Sequence, residues 1–203
     1  MHCAGVFDLA GEVKNMTYAQ ITPPSQEPVS LEDAKAFMRF EGTDEDDLIT
    51  GLIATARHYL ETVTGVSLVT QNWRLYRDGW PQSGLIALAH GPVRSVDTVR
   101  VFSRDGTASE VDLSAARLDG EARPARFYLR EIISRATGFN GIEVDFTAGY
   151  GDASDVPAAA RQAILRHVTH MFVFRGAIGP DQQPAGVPDG YERLIAPLKT
   201  WRL

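Results

Sequence analysis

Residues Thr43 to Gly65, TDEDDLITGLIATARHYLETVTG, constrain the fold more than any other stretch, because both ends of one amphipathic helix are written in them. Thr43 is placed to act as N-cap. Asp44, Glu45 and Asp46 put negative charge on the first turn, where free N–H groups point, and Gly65 supplies a left-handed stop. Between them Leu48, Ile49, Leu52, Ile53, Ala56, Leu60 and Val63 fall at the i, i+3, i+4 spacing of a single apolar stripe. Such a stripe needs a partner, and the next helix of comparable strength begins only beyond residue 150, after a long segment of different period. A helical framework carrying an inserted β unit is the expected architecture.

The partner helix opens at Asp155-Val156-Pro157, with Pro157 at a first-turn position where its missing N–H is harmless, and runs to about Arg175. Ala160, Ala163, Ile164, His167, Val168, Met171 and Phe172 form its stripe, and Gly176 closes it. A shorter helix precedes the long one. Ser30 to Asp33 resembles an N-cap followed by acid in the first turn, Ala34, Phe37 and Met38 share one side, and Glu41-Gly42 ends it.

From Val69 the period changes to two. Trp73 and Leu75 alternate with Arg74 and Tyr76, Leu85 to Ala89 follows, and Val99 and Val101 alternate with Arg100 and Phe102. Asp105-Gly106, between Val99–Ser103 and Ser109–Leu113, signals a hairpin, and Phe127 to Leu129 and Ile142 to Ala148 supply further strands. The fold class read from these elements is α+β: a small helical bundle, 30–68 and 152–176, with an antiparallel β insertion, 69–151, between its second and third helices. Residues 1–29, with Pro23, Pro24 and Pro28, read as an extended N-terminal arm that packs at most on a partner. Residues 177–203 read as a linker and a C-terminal docking tail: the Gly and Pro density of 176–190 opposes regular structure, and the apolar, basic tail has little local core to join. A tail folded back on its own domain is the alternative.

Composition narrows the function classes. With 44% hydrophobic residues in 203 the chain is in the globular range, and no apolar run approaches a membrane span or a secretory leader. A single cysteine, Cys3, excludes an internal disulfide and a cysteine-built zinc site, which fits a reducing cytoplasm. A net charge of −6 argues against a protein that grips the DNA backbone, which requires clustered Lys and Arg.

Constellations that carry chemistry are sparse. His167 and His170 at i, i+3, with His58 on the other long helix, have the spacing to share a metal, but no Glu-x-x-His or His-Glu-x-x-His pattern accompanies them. Packed or solvated histidines are the stronger reading. Glu41, Asp44, Glu45, Asp46 and Asp47 lack the alternation and central glycine of a calcium loop and are accounted for by the helix dipole. Gly149-Tyr150-Gly151 is too short for a phosphate loop, and no Gly-x-Ser-x-Gly elbow marks a nucleophile. The aromatic and basic residues from Trp73 to Arg77 suit either a strand core or stacking on single-stranded nucleic acid. A nucleic-acid-binding module using the β insertion is therefore the alternative function.

The order of several strings resembles the head–tail connector, or adaptor, proteins of long-tailed bacteriophages, prophages and gene transfer agents. They are Pro28-Val29-Ser30-Leu31-Glu32-Asp33-Ala34-Lys35, then Asp46-Asp47-Leu48-Ile49 through Ala54 to Thr64-Gly65, then Trp73 and Pro92-Val93-Arg94-Ser95-Val96. Phe146-Thr147-Ala148-Gly149-Tyr150-Gly151, Val156-Pro157-Ala158-Ala159, Ala163-Ile164, Tyr191 and the Leu194 to Trp201 tail complete the set, which spans residues 28–203. No single string is diagnostic; the resemblance lies in their order. It implies a structural virion protein of the neck, assembled in the host cytoplasm, with no catalytic residues, no cofactor and no membrane partner. It further implies a homo-oligomeric ring, usually a dodecamer in the particle and a monomer alone. That ring would join the portal protein of the DNA-filled head to a tail-side stopper or head-completion protein and leave a channel through which DNA passes without specific binding. By carry-over, Tyr191, Leu194, Ile195, Leu198, Trp201 and Arg202 are the expected portal interface. The arm 1–27 is longer than the starts typical of the family.

Overall fold

A computed structural model describes residues 16–130, 139–174 and 187–199. It has the expected α+β architecture and divides into two compact units. One, the β unit, takes the described residues of Met1–Pro23 and Gln71–Gly149; the other, the helical unit, those of Pro24–Thr70 and Tyr150–Leu203.

In the helical unit, α1 (Leu31–Met38) starts as its sequence implies, with Ser30 Oγ accepting from the Asp33 N–H at 3.0 Å. It stops earlier than Glu41-Gly42, because Arg39 takes the left-handed conformation at φ 57° and its N–H closes on Ala36 O. The long helix α2 (Asp46–Thr64) ends on Gly65 at φ 69°, as expected. Its start differs: Glu45 is the N-cap, and Thr43 O instead accepts from the Asp46 N–H in a tight preceding turn. The partner helix α3 (Ala158–Val173) follows Pro157, which occupies the N-cap position. A short C-terminal helix, α4 (Tyr191–Ile195), completes the unit.

Ile49, Ile53, Ala56 and Leu60 of α2 and Ala160, Ala163, Ile164 and Val168 of α3 belong to one buried cluster, at about 1.5–3 kcal/mol gross for each large apolar side chain. Leu48 and Val63 do not join it and are exposed, so the buried stripe of α2 is narrower than its apolar sequence. The segment before α1 is fastened by charge. Arg57 lies between Glu27 (Nε to Oε2, 2.7 Å) and Glu61 (Nη1 to Oε2, 2.9 Å), and the other Glu61 oxygen accepts from the Leu68 N–H at 2.9 Å.

The β unit holds two antiparallel sheets. Five strands, β1 (Met16–Thr22), β2 (Gln71–Arg77), β4 (Val93–Phe102), β5 (Ala108–Glu110) and β8 (Ile142–Ala148), pair in the order β1-β2-β8-β4-β5. Three more, β3 (Leu85–Leu88), β6 (Arg117–Asp119) and β7 (Ala125–Tyr128), pair as β3-β7-β6. Alternation is clean in β8: Ile142, Val144, Phe146 and Ala148 are buried with Leu75, Val99, Ile86 and Phe127 in a second core. The other face carries an ionic ladder. Arg74 holds Asp145 with two bonds (2.6 and 2.9 Å) and Glu143 at 3.2 Å, while Arg100 reaches both acids at 3.5–3.7 Å.

Two strands depart from the sequence reading. Residues 16–22 are not an extended arm awaiting a partner but an edge strand paired with β2 from Met16↔Arg77 onward, since Met16 and Tyr18 pack against the sheet core. Strand β4 begins at Val93, well before the alternation at Val99, because register shifts against β8 between Val93 and Ser95 and between Val96 and Thr98 break its period.

Two backbones lie close together at Gly120, whose O accepts from the Val93 N–H at 3.1 Å and where an added Cβ would stand 1.9 Å from Val93 O. Gly120→Ala therefore displaces β6 or β4, and chemical denaturation should report a loss of at least about 2 kcal/mol from the β unit.

Candidate docking site at the C-terminal helix

The chain enters α4 through Gly190, held at φ 78°. Arg166 Nη2 of α3 donates to Asp189 O at 2.8 Å and secures the entry. Five residues of α helix and a 3-10 turn at Ala196–Leu198, with Pro197 inside it, then lay an apolar edge onto the core. Tyr191 and Ile195 are fully buried, Leu198 is 4% exposed, and Leu194 packs half-buried beside them. The Tyr191 ring meets His167 edge-on at 5.4 Å and Tyr59 at 6.0 Å, and Tyr59 meets His167 at 5.2 Å. Glu192 and Arg193 face outward, and Lys199 pairs with Glu192.

Three of the six expected portal residues, Tyr191, Ile195 and Leu198, are thus core side chains of this chain. The tail has a local core to join: Tyr191, Ile195 and Leu198 share one buried cluster with Ile164 and Val168 of α3. Leu194 is partly accessible, and Trp201 and Arg202 lie outside the described residues, as does the linker segment 175–186.

Polar satisfaction around this contact is poor. Tyr191 Oη, His167 Nδ1 and His170 Nε2 are buried with no hydrogen-bond partner among the described residues. Burial pushes the Tyr191 hydroxyl well above its ordinary pKa, with Tyr59 and Glu192 adding to the effect. Burial, then the like charge of His170, holds His167 below the usual histidine range. The unpartnered Tyr191 hydroxyl opposes docking by about 1–3 kcal/mol.

The remaining candidates fall into place individually. His58 is exposed on α2, away from His167 in burial, and no group of three or more His, Cys, Asp or Glu among the described residues is arranged to hold a metal. Asp46 of the acidic run pairs with Lys35 at 2.7 Å. Gly149 and Gly151 are both at positive φ in the bend after β8, and Gly149 N–H bonds to Pro92 O. Trp73 stacks on His90 at 3.8 Å with planes 6° apart, Tyr18 closes on His90 edge-on, and burial lowers the His90 pKa to about 4. Arg74 is engaged by Asp145, and buried Arg77 donates to Gly79 O. Trp73, Arg74 and Arg77 are therefore each engaged by partners within the β unit.

These features define an α+β chain of two units, closed by a short helix folded onto its helical unit. Residues 28–101 match the model of the phage gp6-like head-tail connector protein family, which bears out the resemblance over that part of the chain. A comparison with curated proteins finds no match. Solved structures with the same fold include the neck of an empty gene transfer agent particle computed with C6 symmetry (TM-score 0.78, 22% identity, 92% of this chain and 97% of that one). Two others are a chain in the virion of a native gene transfer agent particle (0.76, 22%, 92% and 96%) and one in the neck of the native particle computed with C12 symmetry (0.69, 24%, 92% and 97%).

Two measurements probe the α4 contact. Tyr191→Phe removes the unpartnered hydroxyl and should leave stability unchanged or raise it, whereas Tyr191→Ala should lower it by about 3–5 kcal/mol in denaturant titrations. The unfolded chain takes up protons as pH falls through about 6.5 while folded His167 and His90 stay neutral. Stability is therefore intact above that pH and is lost as pH falls toward the depressed folded values. The thermal midpoint should drop between pH 7 and pH 5, and His167→Gln should shrink the drop.

Proposed function

We propose that this chain is a non-enzymatic structural protein of a phage-like particle's neck. It forms a homo-oligomeric ring, twelve copies in the particle, that joins the portal of the DNA-filled head to a tail-side stopper or head-completion protein. DNA passes through the ring. What carries this reading is the match of residues 28–101 to the connector family, together with a fold shared over 92% of the chain with proteins solved in gene transfer agent necks.

Physical chemistry supports it in two respects. A ring of subunits each at −6 repels phosphate, so DNA slides through it rather than sticking. Weak tail contacts repeated around one portal ring gain avidity through their common scaffold. In this reading Tyr191, Ile195 and Leu198 act by anchoring the C-terminal segment on α3, and Leu194, Trp201 and Arg202 make the portal contacts.

Trp201→Ala combined with Arg202→Glu tests the assignment without touching the buried anchors. Binding to the cognate portal, followed by light scattering or pull-down, should weaken at least tenfold while the thermal midpoint stays put. Unchanged portal affinity would refute the tail as the docking element.

A further inference from the structure

Helix α2 has a second face of which its own unit engages Tyr59, against His167 and Tyr191, and leaves Leu48 and Val63 exposed. Between Leu48 and Val63 every exposed position is uncharged: Leu48, Gly51, Thr55, Tyr59, Thr62 and Val63 run along one face over four turns, with His58 and the exposed carboxylate of Asp47 at its margin. Leu48, Tyr59 and Val63 are 40%, 37% and 38% exposed. A surface helix ordinarily places charge on that side, as α1 does with Glu32 and Asp33 and α4 with Glu192 and Arg193. The threonines add little polarity, because Thr55 Oγ1 donates back to Gly51 O and Thr62 Oγ1 to His58 O, each at 2.8 Å.

Gly51 is the second, separate observation. Glycine inside a helix is less stable than alanine, and nothing in this chain calls for it: a Cβ there would meet no atom within 4 Å. Its backbone is left bare toward solvent, in the middle of the uncharged face. Small residues at such a point let another element approach closely.

We infer that this face of α2 is the contact through which one copy of the chain packs against the next. The inference rests on the ring reading above and names the surface that closes it. Charge selects the occupant. A chain with 26 acidic and 20 basic residues repels its own copies, so a second copy approaches best through a face that presents no charge. A foreign partner of an acidic protein is instead matched by complementary charge, which this face lacks. In a ring the contact is heterologous, so α2 meets a different surface of the neighbouring copy.

The test uses the full chain at millimolar concentration, as a mixture of 14N- and 15N-labelled protein. A benzophenone maleimide is attached at Thr55→Cys in a Cys3→Ser background. Irradiation should yield crosslinked pairs of mixed isotope content, with attachment sites mapped by mass spectrometry. Gly51→Leu should fold as the parent does, since its side chain meets open space, yet reduce mixed pairs at least tenfold. Gly51→Ala should raise the thermal midpoint of the isolated chain by a few degrees without increasing the yield of pairs. The proposal is overturned by pairs confined to one isotope, by Gly51→Leu pairing as the parent does, or by label transfer to cognate portal added to the mixture in place of a second copy. Portal affinity through the tail is a separate readout, so either result can fail while the other stands.

Discussion

Arg57 and the two carboxylates around it are the constraint on which the helical unit depends. Burial works against the guanidinium charge, and the hydrogen bonds and charges of Glu27 and Glu61 more than offset it, so its pKa is raised. Through these contacts one side chain joins the segment that leads into α1, the body of α2 and, by way of Glu61 and the Leu68 N–H, the strand-like segment that leaves toward β2. A buried carboxylate is tolerated because its oxygens meet a cation and a backbone donor. Removing Arg57 alone would strand two acids, so the three residues behave as one unit.

On that base α2 and α3 are brought together, and α4 is added by a different kind of bond. The core of α2 and α3 is aliphatic and close-fitting, whereas the docking of α4 buries a tyrosine hydroxyl and a histidine nitrogen without partners. The C-terminal helix is thus held by area and shape against a polar penalty. Its outer side, with Glu192 and Arg193, is exposed.

How much of this could be read beforehand follows from the range of the forces involved. Helices α1, α2 and α3 were legible because caps and 3.6-residue stripes are local, and the sheet because alternation in β2 and β8 is clean. What escaped was non-local. The prolines at 23, 24 and 28 made residues 1–29 look extended, while strand β1 forms by pairing with β2, some fifty residues on. The start of β4 was hidden by two bulges. Tyr191, Ile195 and Leu198 looked like spare surface because the Gly- and Pro-rich stretch before them says nothing of where the chain goes next. Thr43 lost the cap position to Glu45 by a single tight turn. The engagement of Trp73 by His90 had no signal at all, since nothing in their spacing brings the two rings together.

The interleaving of the two units along the chain bears on how the protein is made. Strand β1 leaves the ribosome first, but its partner β2 follows only after α1 and α2, and β8 emerges after nearly the whole β unit has been synthesised. Helix α2 in turn waits for α3. Neither core can close during synthesis of its own first half, so both complete late and almost together, once the C-terminal third has been translated. Until then an unpaired strand edge and an apolar helix stripe are both open to the cytoplasm, and a nascent chain stalled before α3 is the species a chaperone would meet.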